Sequence, residues 1–390
     1  MPHYKFDQLA YNITDKKIPE PGDEKMYIGL EHLDSGNLKV TRWGNDVELK
    51  GQKLLMKQGD ILFGRRNTYL RRAAIAPHDG IFSAHGMVFR PKTEVIDPEY
   101  FPFFISSNYF MDAAIRISVG SLSPTVNWKT LKELEFDIPT LKEQKQNAKL
   151  LKSINETKEA YQELLNQTDN LVKSQFVEMF GDTVSEKQVF DTVALEKIFN
   201  KPQAGVWGED DPNGDGVPVL RTANFTNTGV IDYSDVATRI LDENKITKKY
   251  ICNGDILIEK SGGSSDRPVG RVVFYEGKNG MFLNNNFTAC LHLNNNYQIN
   301  RIYAFYFMFV NYWFGGTELY EGKTTGIHNS RLSDYLKGTY IPLAPIELQE
   351  QFEILARQSN KLKYELEQAI TSVDNMMKAI LYSNLEDGKD

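Results

Sequence analysis

Four arginines, Arg65, Arg66, Arg71 and Arg72, crowd into one short stretch with Tyr69 between the pairs. A guanidinium contacts phosphate oxygens or pairs bidentately with guanine in the major groove, so this cluster has the chemistry of a nucleic-acid contact. The surrounding stretch from Lys50 to Lys92 holds nine basic residues, Lys57 among them, against only Asp60 and Asp79, in a chain of formal charge -7. Such a reversal on an acidic protein predicts one face for an acidic ligand and other faces for different partners. A sparser second set, Lys260, Arg267 and Arg271, stands beside Gly262 and Gly263, and Arg221 follows the apolar run that starts at Val217. The candidate contact residues are therefore Lys57, Arg65, Arg66, Tyr69, Arg71, Arg72, Arg221, Lys260, Arg267 and Arg271.

Catalytic chemistry has little support. No G-x-G-x-x-G or G-x-x-x-x-G-K-[ST] pattern is present, which argues against a nucleotide site. The six histidines show no metal-ligand spacing, and Cys252 and Cys290 supply neither a disulfide framework nor a four-ligand zinc site, so no metal is expected. Asp211, Asn213, Asp215 and Gly216 have the spacing that opens a calcium loop, but Thr222 stands where a bidentate Glu is required, which predicts a plain turn. Asp255, Glu259 and Lys260 follow a nuclease-like order, yet adjacent Glu259 and Lys260 point to opposite faces of a strand and cannot share one metal. Gly262-Gly263-Ser264-Ser265-Asp266 lacks the second glycine of a nucleophile elbow and reads as a flexible loop. Asn284-Asn285-Asn286-Phe287 lacks the two prolines of an amino-methyltransferase motif. The chain reads as a non-catalytic part with no cofactor of its own.

The elements that position the basic residues occur twice. Gly59-Asp60-Ile61-Leu62 recurs as Gly254-Asp255-Ile256-Leu257, 195 residues on, and Asp79-Gly80-Ile81-Phe82 as Asn279-Gly280-Met281-Phe282, 200 residues on. The second match is an Asx-Gly pair between apolar runs, which predicts two equivalent hairpins. Gly120 with Asn127 matches Gly322 with Asn329 at 202, and Ile138-Pro139 matches Ile341-Pro342 at 203. Leu141-Lys142-Glu143-Gln144 matches Leu348-Gln349-Glu350-Gln351 at 207, and Asp169-Asn170 with Lys173 matches Asp374-Asn375 with Lys378 at 205. Matches that never change order predict two copies of one module with small loop insertions. Each copy has short strands (88–90, 256–258, 271–275) and one aromatic segment, 100–110 and 303–314, expected to be core.

Each copy ends in a helix of roughly 35 residues, about 50 Å long at 1.5 Å per residue. In the second, Leu348, Phe352, Leu355, Leu362, Leu366, Ala369, Val373, Met376 and Ile380 form a heptad seam with Ser359 breaking it. In the first, Leu150, Ile154, Tyr161, Leu164 and Leu171 hold the seam while Thr157, Thr168 and Gln175 interrupt. Seams of this kind need a partner, which predicts that the helices pair with each other as an antiparallel coiled coil and form a rod with a module at either end. The expected fold class is α/β of the α+β type, in two tandem repeats. The first module covers 1–141 with its helix at 142–180, and the second covers 181–346 with its helix at 347–384.

Composition agrees with this plan. The 390 residues are 41% hydrophobic and 25% charged with mean hydropathy -0.44, ordinary for a globular chain of two to four domains. Residues 1–15 show no basic start followed by an apolar run, and the longest aromatic-apolar stretch, 302–314, contains Asn311 and falls short of the roughly 20 residues of a membrane helix. A soluble, cytoplasmic protein without membrane contact is expected.

Two modules with a Gly-Asp-Ile-Leu strand start, a Gly-plus-Asn stretch, then Ile-Pro and Leu-x-Glu-Gln leading into a long helix, resemble the specificity subunit of Type I restriction–modification systems. Val217-Pro218-Val219-Leu220-Arg221-Thr222-Ala223-Asn224-Phe225, with Gly229-Val230-Ile231-Asp232 after it, looks like that family's early target-recognition segment; in the first copy Met26-Tyr27-Ile28-Gly29-Leu30-Glu31-His32-Leu33 takes its place. The resemblance covers almost the whole chain. It implies that each module is a target recognition domain reading one half of a bipartite site in double-stranded DNA. It also implies that the helices fix the gap and dock methyltransferase and restriction subunits, and that catalysis with S-adenosylmethionine, ATP and Mg²⁺ belongs to those partner chains. A rod of about 50 Å would bring the modules to the duplex more than one turn of about 34 Å apart. The competing expectation is a coiled-coil scaffold that never touches nucleic acid.

Overall fold

The computed structural model describes residues 2–44, 49–184, 189–242, 246–264, 267–324 and 327–386. The chain divides into two compact units, Met1–Gln162 with Gln368–Asp390, and Glu163–Glu367. Each unit is thus one α+β module together with the adjoining halves of both long helices.

In the first unit a four-stranded antiparallel sheet runs in the order Ala10–Ile13, Met87–Pro91, Ile61–Phe63, Ala73–Ile75. Its central strands are apolar at successive positions because both faces are covered. Ile61, Phe63 and Phe89 enter the core under helices Phe101–Ser106 and Asn108–Arg116, while Leu62, Ala74 and Val88 enter a second core under the neighbouring sheet. That sheet runs Lys16–Lys17, Lys53–Met56, Gly80–Phe82, Tyr27–Ile28, its last pair parallel. The aromatic segment is core as expected, with Phe101, Phe104 and Phe110 all buried.

The second unit repeats the first sheet strand for strand as Gln203–Ala204, Thr288–Leu291, Ile256–Glu259, Val272–Phe274. Ile256, Ile258 and Leu291 face the core around helix Arg301–Trp313, and Leu257 and Cys290 face another. The other sheet is threaded differently. Val217–Leu220 lies parallel to Leu283–Asn284, as Tyr27–Ile28 does to Gly80–Phe82, but the strand Ala237–Ile240 joins Val217–Leu220 whereas Lys53–Met56 joins Gly80–Phe82. A three-stranded sheet of Ser261–Gly263, Ile327–Ser330 and Glu321–Thr324 is added. The segment expected as a flexible loop from Gly262 is therefore strand at its start; Ser265 and Asp266 lie outside the described residues.

The two Asx-Gly segments are not hairpins. Residues 79–80 connect strands that belong to different sheets, and so do residues 279–280. Their side chains instead brace the turn before each Gly-Asp strand: Gln58 N donates to Asp79 Oδ1 at 2.8 Å and Asn253 N to Asn279 Oδ1 at 2.7 Å. That turn requires glycine, since Gly59 and Gly254 sit at φ of 88° and 91°.

Late in each module the repeat runs at a constant spacing of 205 residues. Phe6 N donates to Leu134 O and Leu195 N to Thr339 O, so Leu134 and Thr339 are equivalents. Buried Gln144 donates to Pro139 O at 2.8 Å and accepts from Asp97 N at 2.7 Å; buried Gln349 donates to Ala344 O at 2.7 Å and accepts from Asn300 N at 2.8 Å. Asp97 and Asn300 in turn accept backbone amides at the start of the aromatic helices. The identity matches at 203 and 207 are therefore each two residues out of register, and the counterpart of Gln144 is Gln349.

The long helices span Leu141–Phe180 and Ile346–Glu386, and they run antiparallel within each unit. In the first unit Ala148 and Leu151 share a core with Leu381, and Lys158 Nζ meets Asp374 Oδ1 at 2.7 Å. In the second unit Phe176 and Phe180 share a core with Phe352 and Ala356, and Lys363 Nζ meets Asp169 Oδ1 at 2.8 Å. These ion pairs are reciprocal, because Lys158 and Lys363, like Asp169 and Asp374, are 205 residues apart. Of the expected seam, Phe352, Leu366 and Val373 are buried and Ile154, Tyr161, Leu348 and Leu355 half-buried, but Leu150, Leu164, Leu171, Leu362 and Met376 are exposed. The buried line includes instead Leu151, Thr168, Val172 and Phe176 on the first helix and Ala356, Ser359 and Leu381 on the second. Within it Thr168 Oγ1 donates to Leu164 O at 2.7 Å, and the Lys158 and Lys363 stems are covered while their charges are paired. Among the described residues no helix is long and apolar enough to cross a membrane.

Candidate nucleic-acid interface

At one end of each module, the chain leaving the Gly-Asp strand meets a hairpin from much later in the sequence. In the first module Val126 N donates to Arg65 O at 2.9 Å and Asn67 N to Pro124 O at 2.8 Å, and Val119 and Thr125 close the hairpin through mutual bonds of 3.1 and 3.0 Å. In the second, Ser330 N donates to Lys260 O at 2.8 Å and Ser261–Gly263 pairs with Ile327–Ser330. Arg65 and Lys260 thus hold the same place. So do Arg72 and Arg271, whose carbonyls accept from Gly64 N and Glu259 N at 2.9 Å each.

The first module sets its arginines on a strained loop. Asn67 and Arg71 flank the short turn Thr68–Leu70 with φ of 55° and 50°, the left-handed region that side chains disfavour. Arg66 and Tyr69 are exposed, with Arg66 touching Ser123 Oγ at 3.3 Å, and Arg65 and Arg72 are half-buried. Of the four arginines only Arg71 is paired to a carboxylate among the described residues, that of Asp112, with Asn108 Oδ1 at 3.1 Å as a second acceptor. Lys57 is exposed, but it lies at the entrance to the strand whose exit carries Arg65.

The second module uses the same positions differently. Arg271 is buried: Nε and Nη2 span the two oxygens of Glu259 at 3.0 Å each, and the guanidinium also donates to the Phe225 and Thr222 carbonyls at 2.6 and 3.0 Å. The expectation that Arg271 contacts DNA is corrected, because an arginine enclosed on a buried carboxylate is an internal strut. Lys260 is half-buried, and desolvation holds its ammonium below the usual lysine range. Arg267 donates to Gly262 O at 2.8 Å and stands 3.8 Å from Glu259, and Arg221 is paired with Asp235 at 2.9 Å. Two exposed arginines at the hairpins were missed, Arg116 at the end of helix Asn108–Arg116 and Arg331 just after Ile327–Ser330. The repeated Gly-plus-Asn stretch was the sequence signal that marked those hairpins.

Elsewhere in the second module Asp255, Cys290 and His292 bring one oxygen, one sulfur and one nitrogen within 4.8 Å of one another. The expectation that the cysteines and histidines form no cluster is therefore corrected. Cys290 and His292 share a strand face, and Asp255 arrives from the paired strand, which linear spacing does not reveal.

Residues 14–168 match the model of the Type I restriction modification DNA specificity domain. That stretch contains the arginine loop and its hairpin. Over that stretch the chain is similar to Type I specificity subunits. One relative, the putative type I restriction enzyme MjaX specificity subunit of Methanocaldococcus jannaschii, is 24% identical over 56% of this chain. The type I restriction enzyme EcoDI specificity subunit of Escherichia coli is 26% identical over 36% of it. The matched stretches span 58% and 31% of those relatives' own lengths. A solved chain from a study of complex assembly and conformational transition in a type I R-M system shares the fold, with a TM-score of 0.53 at 17% identity over 98% of this chain and 97% of that one. The likeness of fold over the whole chain agrees with the internal repeat, since the matched domain ends within the first long helix and the second module repeats the first.

Proposed function

We propose that this chain reads double-stranded DNA for a Type I restriction–modification assembly. Each module takes one half of a bipartite site, and the paired helices dock methyltransferase and restriction subunits. The observation that carries the reading is the first module's tip, where Arg65, Arg66 and Arg72 are committed to no carboxylate among the described residues and stand on a loop held in left-handed backbone. Backbone strain of that kind persists where the surroundings enforce it, and binding loops are a common place for it. Two frames of one design with unlike tips suit two half-sites of unlike sequence. Adenine methylation with S-adenosylmethionine, and translocation and cleavage with ATP and Mg²⁺, fall to the partner chains in the cytoplasm, and this chain contributes binding alone.

The test is DNA affinity of the complex co-expressed with its methyltransferase chain, measured across a salt series. Arg65→Ala with Arg72→Ala is expected to weaken binding at least about tenfold and to lower the salt slope by about two, with copurification intact. Unchanged affinity removes the loop from the interface. A parent complex with no salt-dependent DNA affinity would leave the coiled-coil scaffold as the reading.

A further inference from the structure

The corner where the Gly-Asp strand begins is closed in two chemically different ways. In the first module buried Asp60 accepts from Lys57 N at 2.8 Å and binds Arg90 through two bonds, Nε to Oδ1 and Nη2 to Oδ2, both 2.8 Å. Leu62 pairs with Val88 across the sheet, so Arg90 stands opposite Asp60. In the second module Leu257 pairs with Cys290 and Ile256 with Leu291, which places His292 opposite Asp255. Val88 and Arg90 are thus replaced, position for position, by Cys290 and His292. Both replacements are metal-ligand residue types, both lie on one strand face, and both reach the same carboxylate: His292 Nδ1 is 2.7 Å from Asp255 Oδ1 and Cys290 Sγ is 3.4 Å from Oδ2.

We propose that Asp255, Cys290 and His292 form a structural site for a thiophilic divalent cation, with zinc as the ion of best fit. Sulfur, imidazole nitrogen and carboxylate oxygen are the donor set zinc takes, and the usual Zn–N and Zn–S lengths imply tetrahedral edges of roughly 3.3–3.7 Å. The Cys290–Asp255 separation already has that value, and the His292–Asp255 contact would open by roughly half an ångström on that basis. The fourth position falls to solvent or to the Cys252 thiol, whose backbone amide already donates to Asp255 Oδ2 at 2.6 Å. Burial raises the Cys290 thiol well above its ordinary pKa, so without a cation the sulfur keeps its proton and donates to Asp255; binding releases that proton to solvent. The ion would join strands Ile256–Glu259 and Thr288–Leu291 where the first module uses an arginine, which makes one module metal-dependent and the other not.

The test is metal uptake by the chelator-treated full chain, titrated with cobalt(II) and then zinc(II). Uptake of one ion with a sulfur-to-cobalt charge-transfer band, and a thermal transition raised by zinc, are expected. Cys290→Val with His292→Arg installs the first module's own residues and should weaken uptake by at least about a hundredfold, with the chelated protein still folded by circular dichroism. Cys290→Ser keeps the volume and should abolish the charge-transfer band. No such band in the parent chain, or equal zinc affinity in the Val/Arg variant, overturns the proposal.

Discussion

Arg72 and Arg271 occupy one backbone position in two copies of one module, yet Arg72 is half-buried and Arg271 is enclosed. The deciding residue lies across the strand pair. Where the first module has Gly64, the second has Glu259, fully buried, and that carboxylate draws Arg271 out of solvent and holds it with two bonds of 3.0 Å. Arg72 has only a glycine opposite it, and among the described residues it enters no ion pair. A charge in this fold is therefore assigned to surface or core by its cross-strand neighbour rather than by its own type. Glu259 thereby removes Arg271 from the candidate contacts, while Arg72, with no such neighbour, stays among them.

The sharpest way to break this comparison is Glu259→Ala. Removing one member of a buried ion pair strands the other, and an expected loss of about 3–5 kcal/mol should appear in urea or thermal unfolding. A loss under about 1 kcal/mol would mean that Arg271 reaches water and the two arginines are alike after all. A smaller effect tests what the modules share. Gln144→Ala and Gln349→Ala each remove a buried amide that links the start of a long helix to the cap of an aromatic helix, so each should cost about 2–3 kcal/mol, and the two values should agree within about 1 kcal/mol. Unequal costs would show that equivalent geometry does not carry equivalent energy here. The smallest effect is expected for Leu362→Asp, within about 0.5 kcal/mol on unfolding, since Leu362 is 40% exposed while its neighbour in the expected seam, Leu366, is 6% exposed. A large loss at Leu362 would restore the seam as counted from apolar residues alone.

Much of the frame was legible in the sequence. The repeated Gly-Asp-Ile-Leu runs do begin strands, the aromatic segments are core apart from exposed Trp313 and Phe314, and two long helices pair antiparallel in each unit. What failed did so for identifiable reasons. The seam counted from apolar residues differs from the buried line because Lys158 and Lys363 are covered and paired with Asp374 and Asp169, and a covered charge with a partner is invisible to a pattern that scores apolarity. The Asx-Gly pairs have the chemistry of a tight hairpin, but the strands on either side of them belong to different sheets, a choice made by tertiary packing. At the candidate interface the arginine loop of the first module was readable from its density of charge. The enclosure of Arg271 was not, because it depends on a side chain twelve residues away that only strand pairing brings opposite. The Asp255, Cys290 and His292 cluster was hidden for the same reason.

The reciprocal lysine–aspartate pairs set a rule for how this chain can change length. On each helix the lysine precedes the aspartate by eleven residues, and each lysine reaches the other helix's aspartate. Seven residues inserted into one helix between its lysine and aspartate would throw the two contacts out of step with each other. Seven inserted at equivalent points in both helices would leave each lysine facing its aspartate and keep the buried line in phase. A change of length must therefore come in whole repeats of the helix face and in both helices at once, a quantised ruler whose two strokes are cut together.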